Sequence, residues 1–112
     1  MKTERPWGWY DVINEGSSHK VKCIEVKPGL SLSLQRHMHR SEHWVVVEGT
    51  ALVEVKGNKE FVNVNEGSYV PICAIHRLSN PGCIPLKIIE VQCGSYLEED
   101  DIERFDDDFG RV

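Results

Sequence analysis

The sequence predicts an all-β domain, an antiparallel sandwich or barrel. Three observations predict it: apolar and polar residues alternate in short runs, each run meets Gly, Pro or Asn within five to ten residues, and helix-period segments are nearly absent. Residues 21–26 alternate and stop at Lys27-Pro28-Gly29, where Pro presets a turn. Residues 30–38 follow, with Ser31, Ser33, Gln35 and His37 on one face and Leu32, Leu34, Arg36 and Met38 on the other. The next strand, 42–47, ends at Glu48-Gly49. Strands 51–56 and 60–64 are joined by a short hairpin turn at Gly57-Asn58. Asn65-Glu66-Gly67 leads into 68–70, and Asn80-Pro81-Gly82 separates 76–79 from 86–92. Only residues 98–105 have helical character, because Ile102 and Phe105 lie three apart and acidic residues crowd the start, where the helix dipole favours them. A short C-terminal helix or turn packed on the barrel is expected there.

The chain has 112 residues, enough for one domain over 1–112, and no repeat or linker divides it. At this length folding removes roughly 60–70% of the extended chain's surface from water, so a core needs no disulfide framework. Cys23, Cys73, Cys83 and Cys93 show no C-x-x-C spacing and read as free thiols. No apolar h-region follows Met1, so a cytoplasmic location is expected. Apolar runs such as 44–47 are far too short to cross a bilayer, which excludes a membrane partner. The net charge is −5, and residues 98–108 hold eight carboxylates against Arg104 alone. With no basic stripe to neutralise phosphates, nucleic acid is excluded as well. The run Asp106-Asp107-Asp108 lacks the Gly and terminal Glu of a calcium loop and reads as a solvated tail.

Histidine carries the chemical signal. Three of the five histidines, His37, His39 and His43, fall within seven residues, and His76 lies in a separate strand. Strand parity projects Gln35, His37 and His39 together, and after a bend at Arg40-Ser41 it places Glu42, Trp44 and Val46 on one face. Imidazole, carboxylate and amide oxygen then converge, a donor set suited to Zn, Mn, Co, Ni or Fe as divalent ions. On spacing alone, a half-wet sheet face of histidines accounts for the pattern equally well.

Residues 35–80 resemble the cupin superfamily. The first cupin motif closes with Glu, six residues and Gly, matched by Glu42 and Gly49, and its two upstream ligand positions fall on Gln35 and His37. The second, Pro-x-Gly-x-x-His-x-x-x-Asn after a Gly, is matched by Gly67, Pro71, His76 and Asn80, with Cys73 in place of the middle glycine. Nearly the whole chain resembles the carboxy-terminal isomerase domain of bifunctional mannose-1-phosphate guanylyltransferase/mannose-6-phosphate isomerases. The matching blocks include Arg5-Pro6-Trp7-Gly8, Leu32-Ser33-Leu34-Gln35, the run from Arg40 to Val47, Glu90-Val91-Gln92 and Glu99-Asp100-Asp101-Ile102. Met38 stands where that family usually has His.

The resemblance implies a double-stranded β-helix, the cupin jelly-roll, with one divalent metal ion held by Gln35, His37, Glu42 and His76. It implies interconversion of mannose 6-phosphate and fructose 6-phosphate through a cis-enediol, with His39 or a metal-bound water carrying the proton. Arg40 is the first choice for the phosphate of the sugar-phosphate substrate at the pocket mouth; Lys20, Lys22 and Arg104 rank behind it. Trp44 and Tyr69 are candidates to line the sugar pocket. By analogy with small cupins a homodimer is expected. The alternative from another class is a non-catalytic sugar-binding or sensor cupin that keeps its ion. Gln35 in place of a third imidazole argues against an iron oxygenase, and the nearly complete ligand set against a metal-free epimerase.

Overall fold

Alternation dictates the framework. In the computed structural model, which describes residues 1–112, three long strands bury every second side chain: β3 (His19–Val26), β5 (Arg40–Glu48) and β10 (Leu86–Gly94). They are completed by β1 (Lys2–Arg5), β2 (Gly8–Glu15), β4 (Leu34–Arg36), β6 (Ala51–Val55), β7 (Asn58–Val62), β8 (Gly67–Val70), β9 (His76–Ser79) and β11 (Glu103–Asp106). All named pairings are antiparallel. They form a six-stranded sheet, β1-β2-β3-β10-β5-β8, and a five-stranded sheet, β11-β4-β9-β6-β7. This is the all-β jelly-roll that the turn spacing and motifs predict, and no helix is long and apolar enough to cross a membrane.

Between the sheets the chemistry changes from end to end. β3 buries Val26 and Ile24, then Lys22; β5 buries Val46 and Trp44, then Glu42 and Arg40; β10 buries Leu86 and Ile88, then Glu90 and Gln92. Register aligns these switches: Ile88 lies opposite Ile24 and Val46, Glu90 opposite Lys22 and Trp44, and Gln92 opposite Glu42. One end of the interior is therefore apolar and the other polar. The apolar end contains most of a 13-residue core cluster, each full burial contributing roughly 1.5–3 kcal/mol. That contribution offsets the cost of burying charge at the other end.

Four local features depart from the sequence-based expectations. The strand expected over 30–38 shortens to β4, with only an isolated Ser31–Ser79 bridge before it, and the chain bends at Met38-His39 rather than at Arg40-Ser41. The hairpin turn sits one residue earlier than expected, at Lys56-Gly57, because Val55 pairs with Asn58. Both turn residues take positive φ, 53° and 82°, as a two-residue primed turn requires. Strands β1 and β2 also add to the expected set, β1 pairing with β2 and β2 with β3.

At the C-terminus the expected helix or turn is a turn, and the fourth departure is the strand that follows it. Residues 99–100 make a turn and β11 follows, pairing with the open edge of β4. Side chains that would have faced solvent on a helix are used elsewhere: Glu99 pairs with Lys22, and Asp100 accepts a hydrogen bond from Tyr96 Oη at 2.6 Å. Tertiary contacts outweigh a weak local propensity.

Gly94 ends β10 where the chain passes close to the bend before β5. A β-carbon there would lie 2.0 Å from the His39 carbonyl oxygen, a backbone atom that cannot swing away. Gly94→Ala should therefore lower stability by about 1–3 kcal/mol in urea denaturation; an unchanged midpoint would show that the two segments separate freely.

Candidate metal centre

The polar end converges on Glu42. β5 carries it inward to 2% exposure. β9 brings His76, whose Nε2 lies 3.8 Å from Glu42 Oε1, and the residue just after β4 brings His37, whose Nε2 lies 3.5 Å from Oε2. One donor atom from each of His37, Glu42 and His76 lies within 4.8 Å of the others, all three residues buried. Gln35 pairs with His76 across the β4–β9 ladder, and its amide Nε2 donates to Ser33 Oγ at 2.9 Å and to the Ser33 carbonyl at 3.2 Å. The anchored nitrogen leaves the amide oxygen as the free end of that side chain.

Both imidazoles are oriented by carbonyl groups. His37 Nδ1 lies 2.7 Å from the Asp101 carbonyl and His76 Nδ1 lies 2.9 Å from the Ala74 carbonyl. A carbonyl only accepts, so each Nδ1 carries the proton and each Nε2 presents a lone pair. Arg40 Nη2 donates to His37 Nε2 at 3.2 Å, consistent with that tautomer. Burial, and then the Arg40 charge, lower the His37 pKa to about 4, and burial also lowers that of His76. Neutral imidazoles held by carbonyls beside a carboxylate, with an anchored amide, fit a divalent cation.

Two expectations for this region are corrected. His39 does not project with Gln35 and His37: the bend at Met38-His39 breaks the parity, and its side chain is 55% exposed, with Nδ1 3.3 Å from Asp101 Oδ1. Arg40 is not at a pocket mouth. It lies two residues before Glu42 on the inward face of β5, 5% exposed, and donates from Nε to Glu42 Oε2 at 2.9 Å.

A cleft of about 100 Å³ opens onto these residues, with Gln35, His37, Arg40, Glu42, Trp44 and Glu90 in its walls. Tyr69 is half exposed on the outside and takes no part in it.

Comparison with known proteins identifies the framework. The chain matches the family model described as Mannose-6-phosphate isomerase C-terminal over residues 1–107. It belongs to that family. Among curated relatives, it is 58% identical over 112 residues to the alginate biosynthesis protein AlgA of Pseudomonas putida, covering 100% of this chain and 23% of that protein. It is 57% identical over 108 residues to the mannose-1-phosphate guanylyltransferase ManC of Salmonella typhimurium, covering 96% and 22%. The chain thus spans less than a quarter of the length of these relatives. Among solved structures, Lactobacillus farciminis oxalate decarboxylase superposes with a TM-score of 0.81 at 21% identity, over 94% of this chain and 33% of that one. At that identity the likeness shows the cupin fold.

Within this member of the mannose-6-phosphate isomerase C-terminal family, the groups surrounding the donors were less legible in sequence. Trp44 Nε1 donates both to Glu42 Oε1 at 3.1 Å and to Glu90 Oε2 at 3.0 Å, and Gln92 Nε2 donates to Glu90 Oε1 at 2.6 Å. Burial, and then the Glu42 charge, push the Glu90 carboxyl up to about 7. Asp101 braces the bend: its carboxylate accepts from the backbone N–H of Met38 and of His39, each at 3.0 Å. Strand parity marks Arg40, Glu90 and Gln92 once β5 and β10 are paired. Asp101 lies in the Glu99-Asp100-Asp101-Ile102 block of the resemblance, but nothing in the sequence marks its contact with the bend, because it arrives from the far end of the chain.

Two outcomes follow from this geometry. His37→Ala or His76→Ala should strip a bound divalent cation while leaving a folded barrel, read by elemental analysis and circular dichroism; unchanged metal content in both would refute the ligand assignment. Arg40→Ala removes the cation paired with a buried carboxylate, which costs about 3–5 kcal/mol when nothing replaces it. Its destabilisation in urea should be larger in chelator than with divalent metal present, and equal losses in both conditions would separate Arg40 from the metal centre.

Proposed function

We propose that this chain is a metal-dependent sugar-phosphate isomerase that interconverts mannose 6-phosphate and fructose 6-phosphate through a cis-enediol. The observation that carries the reading is the meeting of His37, Glu42 and His76 from three segments, with Gln35 paired beside His76 and with Gln35, His37 and Glu42 in the wall of a cleft. Membership of the family described as Mannose-6-phosphate isomerase C-terminal supports it.

Isomerisation moves a proton between C1 and C2 and develops charge on the two neighbouring oxygens. A divalent cation held by Gln35, His37, Glu42 and His76 would supply the positive charge that polarises those oxygens. The chain's own residues do the rest. Asp101 and Ala74 fix both imidazoles through their carbonyls. Arg40 holds Glu42 at the orientation seen here and places a guanidinium in the cleft wall. Trp44 ties Glu42 to Glu90, so the cleft keeps a second buried carboxyl in its wall beside the proposed ligand Glu42. Apolar walls from Trp7, Ile24 and Leu32 exclude water from the inner side.

The cysteines are all free, which supports a reducing, cytoplasmic setting. Val45, Val47 and Tyr69 are exposed on the outer face of β5 and β8, and we place the contact of a homodimer there.

A coupled assay tests the reading. The metal-loaded chain should convert mannose 6-phosphate to fructose 6-phosphate, chelation should abolish turnover, and returning a divalent cation should restore it. Stoichiometric metal without isomerisation would overturn the enzyme in favour of a sugar-binding or sensor cupin.

A further inference from the structure

Only three buried side-chain polar atoms in the protein lack a hydrogen-bond partner: Arg40 Nη1, Gln92 Oε1 and Arg104 Nε. All belong to residues at the polar end of the barrel, and two are guanidinium donors whose side chains line the cleft. A buried donor left unpaired is costly and rare, and on a side chain that lines a cleft it points to a missing acceptor nearby. Glu42 already engages Arg40. Arg104 has no such partner.

The same distinction separates the other cations of the cleft. Lys22 is paired with Glu99, and Arg111 with Asp107, from Nε to Oδ2 at 2.7 Å and from Nη2 to Oδ1 at 3.1 Å. Arg5 and Arg104 alone have no carboxylate within ion-pair distance; Arg5 donates only to its neighbour's carbonyl, Glu4 O, at 3.0 Å and to Tyr10 Oη at 3.5 Å. They stand on opposite sheets, Arg5 at the end of β1 and Arg104 in β11. The ladder fixes the position of Arg104 relative to the metal donors: it pairs with Gln35, which pairs with His76. Directly paired residues share a sheet face, and neighbouring strands lie about 4.8 Å apart. Arg104 is therefore next in a row whose other two members are proposed ligands.

We propose that Arg104, with Arg5 from the facing sheet, forms the anion subsite that takes the phosphate of a phosphorylated sugar while the sugar's carbonyl end lies at Gln35 and His76. The proposal rests on the isomerase reading for its substrate and moves the phosphate contact from Arg40 to the C-terminal strand. A phosphate monoester carries nearly two negative charges near neutral pH, which matches two unpaired guanidinium groups. Such groups engage its oxygens through paired N–H donors. A sugar without the phosphate leaves both cations unmatched, so the subsite selects phosphorylated over free sugars.

The test uses the metal-loaded full chain with inorganic phosphate as the probe, read by titration calorimetry, alongside the mannose 6-phosphate assay. Arg104→Ala should weaken phosphate binding and raise KM for mannose 6-phosphate, each on the order of 10- to 100-fold. Arg104→Lys should fall between it and the unaltered chain, and metal content should not change. Arg5→Ala, which leaves β11 and the ligand strand intact, should weaken phosphate binding as well and serves as the second variant if Arg104→Ala loses its fold. Phosphate affinity unaltered by either substitution would overturn the subsite. So would phosphate binding that survives Arg104→Ala but vanishes in His76→Ala, since the anion would then sit on the metal. Arg104-dependent phosphate binding in a chain that shows no isomerisation would support the subsite and overturn the isomerase reading alone.

Discussion

Glu42 holds a carboxylate at 2% exposure, and the polar end of the barrel is organised around that buried charge. A carboxylate withdrawn from water requires several partners at once, and here they come from its own strand and from beyond it. Arg40 and Trp44, two residues to either side, donate to its two oxygens, while His37 and His76 bring from outside β5 the lone pairs that would complete the site of a cation bound to the carboxylate. The switch from apolar to polar residues falls at matching register in β3, β5 and β10, so these groups share one compartment while Val46, Ile88 and Val26 close the other.

The donors were legible because they obey strand parity and motif spacing. Gln35 and His37 are two apart, Glu42 begins the inward series of β5, and His76 follows Pro71 at the distance the second motif sets. His39 obeys the same parity on paper but loses it to a bend two residues earlier than the sequence suggested. Arg40 gains what His39 loses: with the bend moved back, it becomes the first inward residue of β5. A shift of two residues leaves the parity of β5 unchanged, so Arg40 joins the inward face of Glu42, Trp44 and Val46, while His39 falls in the bend and leaves the series of Gln35 and His37.

What sequence could not supply is contact between distant segments. The acid-rich stretch after Leu97 reads as a helix start or a solvated tail because its charges have no local partners. In the fold Glu99 meets Lys22 and Asp101 meets the bend before β5, so the same charges become structural. Cys73 shows the converse: it stands where the motif has glycine and nonetheless takes φ of 65°, the left-handed conformation that glycine adopts without strain. Turn geometry was therefore kept while the residue that normally permits it was not.

The Asp101 carbonyl that orients His37 lies 64 positions downstream of it. Synthesis runs from the amino end, so on the ribosome His37, Glu42 and His76 all emerge before the group that sets one of their tautomers. A nascent chain can bury its apolar half early, yet its imidazole at His37 stays free to rotate until the segment that carries Asp101 has emerged. The pair of imidazoles is thereby preorganised only once the segment before β11 has docked.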